Sequence, residues 1–227
     1  MRKILPSITT TRNSNWQARI KEINKLGLKE IALFPTCLDK KSREKIYPLL
    51  EKAGVKQLPL VHIRSDMAPD ELDFLIKKFQ TRVFNLHTHR EYSHPKHFSK
   101  YRKMILIENV YQPLDAKEIK KFSGICLDIS HLENDRLMNP EKFQHNLKVL
   151  EKYPIGCNHI SCLQKVLRRD LAGYWRYDSH FLKRLSQLDY LKNYPQKYFS
   201  SLITIELENT IEKQLKIRDY LIKKNLI

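Results

Sequence analysis

Short β-branched apolar runs alternate eight times with longer amphipathic stretches rich in Lys, Glu and Leu. This alternation constrains the fold more than any other feature, because strands joined by helical crossovers must run parallel and the helices must then cover the sheet. The runs begin near Ile4, Glu30, Gln57, Arg82, Lys103, Gly124, Ile155 and Ser201. Helices are predicted over 13–26, 40–53, 69–79, 93–101, 115–121, 140–152, 178–192 and 209–224. Pro69 and Pro140 stand at helix entries, and Gly54 follows a helix exit. The stretch from Ile160 to Tyr177 breaks the rhythm and reads as a long loop. Eight βα units in 227 residues predict one α/β domain, 1–227, folded as a (β/α)8 TIM barrel with short loops. An open doubly wound sheet would alternate in the same way. Against it, no GxGxxG or GxxxxGK(S/T) follows any strand, and the chain has only five glycines.

In such a barrel the chemistry sits where the strands end, so the residues closing each run matter most. The third run ends in His62, the fourth in Asn85-Leu86-His87, the fifth in Glu108 and the sixth in Asp128 followed by His131. The seventh ends in His159 and the eighth in Glu206. Counting back by two from each gives Leu60, Asn85, Leu106, Cys126, Cys157 and Thr204, which would point into the barrel beneath a polar mouth. His131 is expected on the loop after the sixth strand. Asp178 and His180 close the long loop after the seventh. A single strand-end histidine is more often structural than a ligand, but six metal-ligand residue types at one phase of the repeat point to a shared site. His89 and Glu208 have the same parity and lie farther out; His94, His97 and His145 read as surface residues, and Cys126 and Cys157 as buried core thiols.

These strand ends resemble the xylose isomerase-like barrels, which include the endonuclease IV group of abasic-site nucleases and many sugar isomerases and epimerases. The resemblance runs from His62 to Glu206. It implies that His62, His87, Glu108, Asp128, His131, His159, Asp178, His180 and Glu206 are metal ligands, all nine in the order of the nuclease group, where three zinc ions are held. The small-residue stretches near Glu108 and Asp128 are missing, however, and the chain is shorter than those nucleases.

Imidazole and carboxylate ligands suit Zn²⁺, with Mn²⁺ an alternative where carboxylates dominate. In the hydrolase reading two or three ions act on a phosphoester, Glu108 and Glu206 bridge ions, and Asp178 and His180 hold an outer one. In the isomerase or epimerase reading one ion on Glu108, Asp128, His159 and Glu206 suffices. Glu108 and Glu206 then exchange a proton with carbon, and His131 orients the sugar. Nine ligands where four suffice favour hydrolysis.

Charge enters at this point. Forty-two basic against 25 acidic residues give +17, which suits a phosphate-containing substrate, DNA included, or else marks a lysine-rich surface with no partner. Lys165, Arg168, Arg169 and Arg176 interleave with Tyr174, Trp175 and Tyr177 in the long loop, the composition of a surface that grips phosphates and stacks bases, or of a solvated segment pinned by its aromatics. Four cysteines without a CxxC pair favour a reduced, cytoplasmic setting. No apolar run approaches the length of a transmembrane helix, which excludes an ordinary membrane anchor of that kind.

Overall fold

The computed structural model describes residues 2–11, 14–170 and 173–227. Asn13, at the start of the expected first helix, and Leu171 and Ala172 of the long loop lie outside the described residues. The chain begins with β1 (Lys3–Leu5) and β2 (Ser7–Thr9), then α1 (Trp16–Leu26), β3 (Ala32–Phe34), α2 (Lys40–Lys52), β4 (Leu60–His62), α3 (Pro69–Phe79) and β5 (Val83–His87). A 3₁₀ helix (Lys96–Tyr101) leads to β6 (Ile105–Glu108), α4 (Ala116–Ile119), β7 (Ile125–Asp128), α5 (Ile129–Met138), α6 (Pro140–Leu150) and β8 (Ile155–Ile160). There follow β9 (Cys162–Arg169), β10 (Trp175–Ser179), 3₁₀ helices at Leu185–Asn193 and Gln196–Tyr198, β11 (Leu202–Ile205) and α7 (Ile211–Lys223).

Nine segments form one parallel sheet in the order β1-β11-β8-β7-β6-β5-β4-β3-β2. Its two end segments are halves of a single strand interrupted at Pro6, which has no N–H for the ladder but still offers its carbonyl to Ala32 N at 2.9 Å. β1 pairs with β11 and β2 with β3, and Ser7 Oγ donates to Ile205 O at 2.6 Å across the seam. The ring is therefore an eight-stranded (β/α)8 barrel.

Two apolar cores follow from the alternation of each strand. Leu5, Ala32, Phe34, Leu60, Leu106, Cys126 and Cys157 fill the barrel, and a larger cluster lies between strands and helices. A register shift between β7 and β8 aligns Ile125 with Ile155 but Cys126 with Cys157, so Gly156 is the extra residue. The bulge turns Ile155 to the outer core and Cys157 and His159 to the inside. A Cβ at Gly156 would come within 2.8 Å of both Leu106 methyls, so the barrel filling leaves room only for glycine unless Leu106 moves.

Four expectations are corrected. The helix expected over 93–101 is only the 3₁₀ turn Lys96–Tyr101, because Pro95 holds His94 out of helical geometry; the one over 115–121 is four residues long. Residues 178–179 of the helix expected over 178–192 belong to β10, paired with Leu163 and Cys162. The long loop is instead an antiparallel ribbon, β9–β10. Helix α5, for which no periodicity was visible, starts directly on β7. It buries Ser130, His131, Glu133, Asn134 and Asp135 along with Ile129 and Leu132 and exposes Leu137 and Met138, so it has no apolar stripe to betray it. No helix is long and apolar enough to cross a membrane among the described residues.

Candidate metal centre

Every strand-end residue singled out by its phase reaches the same mouth. His62, His87, Glu108 and Asp128 close β4 to β7, His159 lies in β8, and Glu206 follows β11. Register places His87 beside Glu108 and Asp128 beside His159. Besides His159 with Cys126 and Cys157, two groups result in which all ligand atoms lie within 4.8 Å of one another: His62, His87 and Glu108; and Glu108, Asp128, His159 and Glu206. Glu108 is common to both.

Glu108 is 2% exposed and Asp128 and His159 fully buried. Burial opposes the charge on Glu108, but His159 and His62 outweigh it and hold the carboxyl well below its usual range. Its Oε1 lies 3.3 Å from His159 Nδ1, and its Oε2 accepts from Asn85 Nδ2 at 2.6 Å. His159 Nδ1 is also 3.3 Å from Glu206 Oε2, and its Nε2 points down the barrel to Cys126 Sγ at 3.2 Å. Burial disfavours the imidazolium, yet Glu108 and its other partners hold the His159 pKa well above the usual value in the metal-free chain.

Asp128 has two jobs. Its Oδ1 caps α5, accepting from Ser130 N at 2.7 Å and His131 N at 3.0 Å. Its Oδ2 is buried with no hydrogen bond, like Glu206 Oε2 and both ring nitrogens of His62. His62 Nε2 lies 3.1 Å from Glu108 Oε2, off the hydrogen-bonding direction. Buried polar atoms left without partners at one point are what a cation would satisfy, and three converging carboxylates supply the charge for it. The residues therefore fit a bound metal.

His131, expected on a loop, sits in the first turn of α5, where the Asp128 cap aims it back at the mouth. Its Nε2 lies 3.6 Å from Asp128 Oδ2 and 3.9 Å from Glu108 Oε1. Its Nδ1 lies 3.2 Å from Asp178 Oδ2 and 2.6 Å from Arg176 Nη2, and can serve only one of them. Burial opposes a charge on the ring, but Asp128 and Asp178 together raise the pKa to about 9, so in the metal-free chain Nδ1–H donates to Asp178. Asp178 is also held by Arg176 Nε at 2.7 Å. His180 turns Nδ1 to the Glu206 carbonyl at 3.1 Å. Among the described residues, no group of three ligand atoms includes His131, Asp178 or His180.

Of the basic residues expected to grip substrate, Lys165, Arg168 and Arg169 are exposed on the ribbon, with Arg169 over the Trp175 ring at 5.4 Å. Arg176 is instead buried behind the mouth, where it pins Asp178 and lies 5.1 Å from the Tyr111 ring. Several supporting residues carry no local signal in the sequence. Glu91 lies 3.0 Å from His87 Nδ1 while accepting from Tyr111 N and Gln112 N, and Asn109 clamps the Asp128 backbone through both N and O. His94, expected on the surface, places Nε2 2.8 Å from the His87 carbonyl and Nδ1 3.4 Å from Glu118. A depression of about 120 Å³ opens over His62 and His87, bordered by Thr36, Arg64 and the half-exposed ring of Tyr92.

No protein-family model matches the chain, and no curated protein does. Solved structures do. A xylose isomerase domain protein from Alicyclobacillus acidocaldarius shares 12% identity over 97% of this chain and 98% of its own, with a TM-score of 0.47. A protein designated SacUVDE shares 10% over the full length of both, with a TM-score of 0.48. D-psicose 3-epimerase from Clostridium cellulolyticum, solved with D-tagatose, shares 11% over 96% of this chain and 90% of its own, with a TM-score of 0.37. At these identities and scores they bear on neither substrate nor reaction.

Proposed function

We propose that the chain is a metal-dependent phosphoester hydrolase with ions sharing Glu108, and that an abasic site in DNA is its substrate class. The observation that supports this most is the membership of Glu108 in two ligand groups, where a sugar isomerase needs only one of them. His62, His87 and Glu108 would hold one ion, and Glu108, Asp128, His159 and Glu206 another. Imidazole with carboxylate suits Zn²⁺, and Mn²⁺ is the alternative. Bound there, the ions would supply Lewis acidity to a phosphoryl oxygen and lower the pKa of water.

The protein's own groups do the rest. His131, held between Asp128 and Asp178, carries a proton on Nε2 at the edge of the mouth, where a leaving oxygen can take it. Arg176 fixes Asp178 and, through it, the imidazole. Tyr92 offers a ring face beside the depression, and Lys165, Arg168 and Arg169 offer cations to a phosphate backbone. A second reading, a sugar isomerase or epimerase with Glu108 and Glu206 as the acid–base pair, draws support from the four-residue group, which is complete in itself.

Native mass spectrometry together with parallel assays decides between them. Two or more ions per chain and metal-dependent nicking of a duplex carrying one abasic site are expected, with nicking lost in Glu206→Gln and in His62→Ala. His62 lies outside the four-residue group. A His62→Ala protein that keeps one ion and interconverts ketoses would transfer the assignment to the isomerase.

A further inference from the structure

The outer layer of the barrel is thin at one place. Between β5 and β7 the crossovers are the 3₁₀ turn Lys96–Tyr101 and the four-residue α4, too short to cover the strands as the longer helices do elsewhere. The gap is an open cavity of about 790 Å³ on the flank of the barrel, and no ligand of the candidate metal centre lines it. Lys96 comes from the 3₁₀ turn, Arg102 and Lys103 from the approach to β6, and Lys120 and Lys121 from the approach to β7. Five of the eleven lining residues are cationic and none is acidic, against 42 Lys and Arg in 227 for the chain, so the lysine-rich composition alone does not account for the concentration.

None of these five cations has an ion-pair partner among the described residues. The nearby acids are already engaged. Glu118 faces His89 and His94, Asp115 caps α4 and meets Arg90 at 3.5 Å, and Asp73 holds Lys100, the one lysine of the 3₁₀ turn that does not line the cavity. Like charges gathered in a concavity repel one another and focus a positive potential that an anion relieves. The floor adds the buried Phe98 and the half-buried Phe122, and Ser99 and Ser123 add hydroxyl groups at the rim. The volume falls within the range of small-ligand sites, about 300–1,000 Å³.

We infer that this flank cavity is a second, non-catalytic binding site for a small polyphosphate-bearing ligand, a nucleoside triphosphate or an inorganic polyphosphate. The assignment does not depend on the reaction at the mouth. Cations arriving from three chain segments at one hollow surround a compact polyanion, whereas a nucleic-acid strand would need them strung along a track.

Calorimetric titration of the full chain, in a chelator so that the metal centre cannot hold phosphate, tests this. The probes are adenosine triphosphate, inorganic triphosphate and a duplex oligonucleotide, at low salt because exposed charges are screened beyond about 10 Å at 0.1 M. Adenosine triphosphate or inorganic triphosphate is expected to bind; whichever binds more tightly identifies the source of the phosphates. Affinity should fall by about tenfold or more in a Lys103→Gln, Lys120→Gln, Lys121→Gln protein, and stay within about twofold in Lys41→Gln, Lys45→Gln on α2. All five substitutions are at exposed positions, and a melting curve verifies that both variants fold. No binding of either small probe, binding untouched by the triple substitution, or capture of the duplex alone would each overturn the assignment.

Discussion

At the scale of residues, the centre depends on groups that never reach a metal. His159 turns Nδ1 toward Glu108 and Glu206 and Nε2 toward Cys126, so in the neutral ring that a metal would require, the thiol would decide which nitrogen keeps the proton. Losing such an orienting partner weakens metal binding by about 10–100-fold. Cys126→Val should show that loss in competition with a chromophoric chelator, while Cys126→Ser, which keeps an acceptor, should remain close to wild type. Equal affinities for all three proteins would remove Cys126 from the site. His131 gives a pH signature. Its pKa in the metal-free fold, about 9, lies above the ordinary 6.5, so its contribution to stability is complete below pH 6.5 and disappears as pH rises through about 9. The melting-temperature gap between wild type and His131→Asn, both metal-free, should therefore narrow from pH 6 to pH 9.5. A gap independent of pH would show that folding leaves the His131 pKa at its ordinary value.

Elements are positioned by a few backbone conformations that side chains cannot rescue. Gly124, which leads into β7 and so sets the height of Asp128, has φ +136, and a Cβ there would stand 2.5 Å from the Pro154 carbonyl oxygen. Strain of this kind costs of order 1–3 kcal/mol before the clash is counted. Gly124→Ala should lower stability by about 2 kcal/mol or more in a denaturant titration, whereas Gly27→Ala, with φ +64 and open space around it, should cost less. The reverse order would mean that β7 shifts without penalty. Helix α5 shows why some elements escape a reading by periodicity: it is buried by polar contacts such as Tyr177 N to Asn134 Oδ1 and Lys142 Nζ to Asp135 Oδ1. The β9–β10 ribbon escaped for a related reason. Its partner strand is its own continuation, and Lys and Arg on an exposed two-stranded ribbon carry no core-facing stripe.

For the whole molecule, closing the barrel brings three carboxylates, Glu108, Asp128 and Glu206, to one buried point, so a cation bound there would be coupled to folding. A ligand at a hundred times its Kd adds about 2.7 kcal/mol, and each kcal/mol moves the melting point of a chain this size by about 2–4 °C. Removing metal with a chelator should lower the melting temperature by about 5–10 °C, reversibly on adding Zn²⁺. An unchanged melting curve would argue against any resident ion. What the sequence by itself determined is the barrel and the ring of strand-end residues. Alternation at period two and the repeat of βα units are local properties, and they specify at once which residues face inward and which end of the strands those residues occupy. Only the tertiary structure decided how that ring divides. Barrel closure places Glu108 in both ligand groups, the Gly156 bulge turns His159 inward, the β9–β10 ribbon shifts register between Arg176 and Asp178 where those two side chains bond, and His180 lies against the Glu206 backbone. The thin flank that gathers five cations, none in an ion pair among the described residues, is likewise a product of distance in space. Lys96 and Lys121 are neighbours only because two short crossovers leave a gap between them, and spacing along the chain does not encode that.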